Sequence, residues 1–261
     1  MRRLRGWARS WFDRAGFEVR RKQDPARLTR VPPSATAGAI LEMTGPSGIG
    51  KSTLFHGLLD ALEDSWFLPW HAAALQPAPT EANAGLALGH RSLLLAMARR
   101  LDHEGADFWT VAGSLHYAAA VASTDVLIRG DFRRGFALDE GVFQVFAPEI
   151  PALDGSARQR LCAGRLLVHL TARDPETVAE RSMRRHEDRR RRGLPQRPTS
   201  LAAQRAIAEQ ALALHARVVE TVRVHGVEVL ELLAEDPEAR NRQAILDFAR
   251  DRGAARPPER G

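Results

Sequence analysis

The sequence predicts an α/β fold, a mainly parallel five-stranded sheet flanked by helices in three layers. Three observations carry this. Five short apolar runs of strand length recur along the chain, helix-length stretches separate them, and the later helices open on Asp-Pro or Ser caps. Runs that are apolar throughout, without alternation, suit strands covered on both faces, as in a parallel sheet.

The elements follow in order. AILEMTG (39–45) is the first strand and ends in glycine. STLFHGLLDALED then puts Leu54, Leu58, Leu59 and Leu62 on one helical face. SWFLPW (65–70) is the second strand, kept short by Pro69. Helical stretches near 85–102 and 112–129 lead to the third strand, GFALDEG (135–141). RLLVHLTA (165–172) and VEVLELLA (227–234) are the fourth and fifth. Asp174-Pro175 reads as N-cap and first position of an arginine-crowded helix, and Asp236-Pro237 opens the last helix, which closes at Gly253. Between them a helix runs from a Ser200 cap to a Gly226 stop.

Three segments flank or interrupt this pattern. Residues 1–36 form an arm in which Leu4, Trp7, Trp11 and Phe12 recur at helical spacing among arginines, before RVPPSATAG breaks any helix. Packing of Trp7 and Trp11 on the main domain is the expectation for this arm. Weak contact of residues 1–30 with a membrane surface or a protein is the alternative. Residues 37–252 form the main domain, with about 174–198 as an arginine-rich helical segment, and 253–261 read as a disordered tail.

The chemistry concentrates in GPSGIGKST. Gly45, Gly50, Lys51 and Ser52 meet the pattern G-x-x-x-x-G-K-[ST], with an apolar strand before it and an amphipathic helix after it. Glycines let the backbone wrap an anion closely, and successive N–H groups together with the helix start supply positive potential. Gly45, Pro46, Ser47, Gly48, Ile49, Gly50, Lys51, Ser52 and Thr53 are therefore the candidate nucleotide-binding residues. Lys51 is expected to reach the β- and γ-phosphates, Ser52 to ligate Mg²⁺, and Thr53 to reach the α-phosphate. Lysine is scarce here: of 38 basic residues other than histidine, only Lys22 and Lys51 are lysines, so one at this position is unlikely to be incidental.

A P-loop needs a carboxylate at the end of a neighbouring strand, and GFALDEG supplies Asp139 and Glu140. Asp139 is assigned to Mg²⁺ and Glu140 to the proton of an attacking hydroxyl, or the two in reverse. Composition removes other classes. No apolar run reaches the ~20 residues of a membrane-spanning helix, and no apolar stretch follows the basic N-terminus to make a secretory signal. Cys162 is the single cysteine, which fits a reducing cytoplasm. A net charge of +6 in so arginine-rich a chain is no signature of specific nucleic-acid binding. N-K-x-D and L-S-G-G-Q are absent, so guanine-specific GTPases and ABC transporter ATPases lack their diagnostic pieces. With Tyr117 as the only tyrosine, the guanylate kinase acceptor site cannot be assembled.

The stretch LLVHLTARDPETVAERSMRRHEDRRRRG, a strand leading to Asp-Pro and a helix bearing Arg181, Arg184 and Arg185 on one face, resembles the fourth strand and arginine lid of the thymidylate kinase and deoxynucleoside kinase-like P-loop proteins. VEVLELLAEDPEARNRQAILDFARD is similar to that family's last strand and helix. The resemblance spans roughly 37–252. It implies a three-layer αβα P-loop nucleoside triphosphate hydrolase fold, ATP and Mg²⁺ as cofactors, and lid arginines that neutralise charge on the transferred phosphoryl group. The second and third strands are followed by PWHAAA and LDEGVFQ, where the family carries a Glu and an Asp-Arg or Glu-Arg-Ser, so the resemblance carries no nucleoside or thymidylate assignment.

Candidate catalytic residues are thus Lys51, Asp139, Glu140, Arg181, Arg184 and Arg185, and the acceptor side is given to His71, Arg91, Arg129 and Asp131. The expected function is ATP-dependent phosphoryl transfer to a hydroxyl or phosphate of a nucleoside, nucleotide or sugar-like small molecule. The alternative is an ATPase switch with a protein or membrane partner.

Overall fold

The computed structural model describes residues 36, 38–63, 65–68, 84–129, 132, 134–191 and 200–254. Residues 1–35, 255–261, the end of the expected lid, His71 and Asp131 lie outside them, while 253 and 254, expected in the tail, still belong to the last helix.

Among the described residues the strands are β1 (Ile40–Thr44), β2 (Trp66–Phe67), β3 (Gly135–Leu138), β4 (Arg165–Thr171) and β5 (Glu228–Leu233). They form one five-stranded sheet in the order β2-β3-β1-β4-β5, and every pairing is parallel. Each of the five expected strands is present. The second is cut to Trp66–Phe67, consistent with Pro69 two residues on. β1 sits in the middle, and the chain departs from it toward β3 on one side and β4 on the other. The crevice beyond its carboxyl end is where open α/β sheets place ligands.

The helices are α1 (Lys51–His56), α2 (Leu59–Glu63), α3 (Ala84–His103), α4 (Phe108–Leu127), α5 (Val142–Val145), α6 (Gly155–Cys162), α7 (Pro175–Arg191), α8 (Leu201–Arg223) and α9 (Glu238–Ala254). The expected single helix after β1 is broken at Gly57, where a Cβ would meet the Arg242 guanidinium at 2.1 Å. Two of the caps read from sequence are made, while the last helix begins at Glu238, just after Asp236-Pro237. Asp174 accepts from Glu176 N at 2.8 Å, and Ser200 accepts from Ala203 N at 3.1 Å.

Helices cover both faces of the sheet. Leu41, Met43, Leu166, Val168 and Leu170 pack with Leu54, Phe55 and Leu58 of α1 and its following turn, and with Ile245 and Ala249 of α9. On the other face Leu167 packs with Ala118 and Ala122 of α4, Phe143, and Val218, Val219 and Val222 of α8. The alternation of Leu166, Leu167 and Val168 between the two clusters is the period of a strand buried on both sides. No helix among the described residues is long and apolar enough to cross a membrane.

One group of side chains inside this frame is ionic. Glu42, in the middle of β1, and Arg165, at the start of β4, are both fully buried. Arg165 Nη1 lies 2.5 Å from Glu42 Oε2, while Nη2 donates to Asp125 of α4 and Nε donates to Leu161 O at 2.8 Å. His90 Nε2 of α3 stands 2.9 Å from the other Asp125 oxygen. Against burial, which disfavours its charge, Asp125 and Glu42 raise the Arg165 pKa. Burial pushes Glu42 up to about 7, while Arg165, Arg129 and His90 overcome the burial of Asp125 and hold it well below the carboxylate range.

Candidate functional site

The loop after β1 turns on glycines that have no substitute. Gly45 has φ 145° and a Cβ there would meet Leu170 O at 2.2 Å, while Gly50 has φ 114° as the N-cap of α1. Gly50 offers no capping side chain, so the first-turn N–H groups of α1 are left to other acceptors.

The loop is anchored from behind. Gln144 Oε1 accepts Gly45 N at 3.0 Å and the Thr44 hydroxyl at 3.3 Å. Glu42 Oε1 accepts Phe143 N and, at 3.2 Å, Gln144 N. The buried carboxylate thus holds the start of α5, and α5 holds the loop. Gly141 permits this approach, since a Cβ there would stand 2.4 Å from the Glu42 carboxyl carbon. His215 of α8 completes the backing, with Nδ1 3.0 Å from Thr44 Oγ1. Burial, together with Lys51 and His169, pushes its pKa down to about 3, so it stays neutral.

Lys51 is 5% exposed, and its Nζ donates to Gly45 O at 2.7 Å and Pro46 O at 3.0 Å. No carboxylate among the described residues pairs with it. Burial, with Arg185 adding to it, lowers its pKa to about 8 although Glu140 and Asp139 pull the other way. A buried ammonium resting on two carbonyls is short of negative charge, and an anion entering the loop would supply it.

A cleft of about 690 Å³ opens over this amine. Ser47, Gly48, Ile49, Gly50, Lys51, Ser52 and Thr53 form one wall, Arg181, Arg184 and Arg185 of α7 another, and Glu235, Asp236 and Asn241 the far end. Glu140 reaches it from the turn after β3. The structure therefore brings together residues that the sequence analysis drew from three distant segments. Gly45 and Pro46 lie buried beneath. Arg181 is already engaged: it donates to Ile49 O and to Ala234 O, both at 2.8 Å, tying the loop to the turn after β5. Arg184 and Arg185 are exposed at the cleft edge. The helix that bears them lies along α8, with Ser182 donating to Gln204 at 3.0 Å.

Asp139 does not line this cleft. It lines a second cavity of about 240 Å³, together with Tyr117, Thr124, Gly141 and Glu140. Burial and Glu140 raise the Asp139 pKa. Tyr117 donates to Glu140 Oε2 at 2.6 Å, and burial followed by that carboxylate raises the phenol pKa.

Two acceptor-side candidates fall elsewhere. Arg91 is exposed on α3. Arg129 donates to Leu161 O at 2.6 Å and to Ala163 O, lies 4.0 Å from Asp125, and is brought down to about 10 mainly by burial. It braces the loop before β4, and neither cavity includes it. Sequence reasoning missed Gln144, Tyr117, Thr124 and Asn241. Gln144 had a visible signal, a polar residue four positions after Glu140 in an otherwise apolar VFQVF.

Among the described residues no three His, Cys, Asp or Glu side chains converge to hold a metal by themselves. A divalent ion here would share its ligands with a phosphate, the usual habit of Mg²⁺. No protein-family model matches this chain, and no curated protein matches it.

Proposed function

We propose that the chain is a Mg²⁺–nucleoside triphosphate-dependent kinase of small molecules, with ATP as the donor. One observation carries the reading: the buried Lys51 amine, short of a counter-charge, at the floor of a glycine-turned loop and a cleft rimmed by arginines. Phosphoryl transfer is catalysed mostly by positioning and electrostatic stabilisation, and the parts suit that task. Lys51 would neutralise the β- and γ-phosphates, with Arg184 and Arg185 facing them across the cleft. Arg181 would hold the wall in place through its two carbonyl contacts. Ser52 and Glu140 would hold Mg²⁺, which would supply positive charge against the phosphates. That choice reverses the first assignment for the two carboxylates, because Glu140 lines the nucleotide cleft and Asp139 does not. Asp139 then takes the proton of the attacking group.

Lys51→Ala is expected to abolish ATP-dependent transfer. Full activity in that variant would sink the reading. A second reading, an ATPase switch with a protein or membrane partner, is favoured by Phe108 and Trp109. They stack edge-to-face at 5.1 Å while 72% and 80% exposed at the start of α4. Phosphate release with and without small-molecule acceptors separates the two, since only a kinase transfers label to the acceptor.

A further inference from the structure

The second cavity has a chemistry of its own. It opens between α4 and the carboxyl end of β3, and Glu140 is the residue it shares with the arginine-rimmed cleft. The two spaces thus meet where a phosphoryl group on the Lys51 side would face an acceptor on the Tyr117 side. Their linings differ in that only the cleft holds cations. The cleft sets Lys51, Arg181, Arg184 and Arg185 beside the carboxylates of Glu140, Asp188, Glu235, Asp236 and Glu238, whereas the cavity is lined among the described residues by carboxylates with no lysine or arginine. Its polar groups are the carboxylates of Asp139 and Glu140, the Tyr117 and Thr124 hydroxyls, and Asp125, whose charge Arg165 and His90 already engage. Ala120, Val121, Leu138 and Val142 make up the apolar remainder.

With Glu140 given to Mg²⁺ and Asp125 engaged, the Asp139 carboxylate sets the charge of this space. That carboxylate accepts hydrogen bonds from hydroxyl and ammonium groups and repels phosphate, since like charges at close range in a partly desolvated site disfavour binding by several kcal/mol. Its volume of about 240 Å³ lies below the usual range of small-molecule pockets, about 300–1,000 Å³. Resting on the kinase reading, we infer that this cavity is the acceptor site and that the acceptor is a small hydroxyl compound, neutral or cationic, that carries no phosphate. The step balances without a further reactant. The acceptor hydroxyl gives its proton to Asp139 as its oxygen bonds to the γ-phosphorus of the nucleoside triphosphate. The bond from that phosphorus to the β–γ bridging oxygen breaks, and the diphosphate leaves with the electron pair. Tyr117 is a positioning residue, holding one Glu140 oxygen through its phenol.

The test uses the full chain and matched pairs: thymidine against thymidine 5′-monophosphate, glucose against glucose 6-phosphate, and glucosamine against its 6-phosphate. ATP binding is measured first, by calorimetry, and acceptor-dependent ADP release second. The expected result is that the phosphate-free member of at least one pair stimulates ADP release about tenfold more than its phosphorylated partner. Ala120→Lys puts an ammonium at the exposed edge of the cavity, and helix content and melting temperature serve as its folding check. It is expected to reduce that preference by about tenfold. Preference for the phosphorylated members overturns the inference, as does an unchanged ratio in Ala120→Lys. So does a lack of stimulation by every compound while ATP still binds, a result that leaves the nucleotide site standing. Failure of the unaltered chain to bind ATP would instead overturn the kinase reading on which the inference rests.

Discussion

Among the described residues one arginine and one lysine are buried, beside opposite ends of β1, and they are treated in opposite ways. Arg165 stands beneath the sheet's centre with Glu42 on one side, Asp125 on the other and the Leu161 carbonyl behind it. Its charge is met, and its surroundings raise its pKa. Lys51 sits at the other end of β1 with two carbonyls and no carboxylate, and its pKa is brought down to about 8. A satisfied buried charge is architecture, whereas an unsatisfied one marks where a ligand belongs.

The contrast breaks first at Arg165. Arg165→Met leaves Glu42 and Asp125 buried without their shared partner, and is expected to cost about 3–5 kcal/mol in urea unfolding. A cost under about 1 kcal/mol would show that the network does not organise the fold. Lys51→Met should do the reverse. Removing an under-compensated buried ammonium is expected to stabilise the ligand-free protein by about 1–2 kcal/mol while lowering ATP affinity about a hundredfold. A destabilised variant with intact affinity would erase the difference between the two cations.

The pH dependence is smaller and sharpens the same point. Lys51 titrates near 8 when free, against 10.5 when exposed. Phosphate binds the protonated form, so ATP affinity should be full below about pH 8 and fall above it, by up to about tenfold per pH unit. Stability of the ligand-free protein should move the other way, rising with pH between 8 and 10.5, because the unfolded chain binds the extra proton there. Affinity flat from pH 7 to 10 would mean that Lys51 does not meet the phosphates. The smallest effect belongs to Gln144→Ala, which frees Gly45 N and should weaken ATP binding by about 1 kcal/mol, with faster amide exchange at Gly45 as the direct reading.

The two cations also mark what was legible. Lys51 announced itself because its partners lie within six residues, and a local loop writes its geometry in consecutive letters. The five strands were readable as apolar runs for the same local reason. Arg165 was not, since its carboxylates are 123 and 40 residues away and only the packed sheet brings them together. The glutamate inside AILEMTG was a hint, as a charge in a strand otherwise apolar asks for a partner. The sequence singled out Asp139 and Glu140, but that Glu140 reaches the cleft while Asp139 does not depends on which way adjacent side chains leave a turn. α5 and α6 went unread because helices of four and eight residues show too little periodicity.

Glu42 accepts the amides that begin α5, and Gln144 of α5 accepts the amide that begins the glycine loop, with Gly141 bare so that the carboxylate can come close. Loop and acidic turn are therefore surveyed from one buried benchmark, and no ligand is needed to bring them into register. The opposite side of the second cavity comes from α4, where Asp125 is tied to the same benchmark through Arg165 and Tyr117 holds Glu140, while the short stretch at Ala120 and Val121 carries no such bond. On the kinase reading, that stretch is a replaceable panel, and changes there alter which compound is admitted while the machinery behind it stays true.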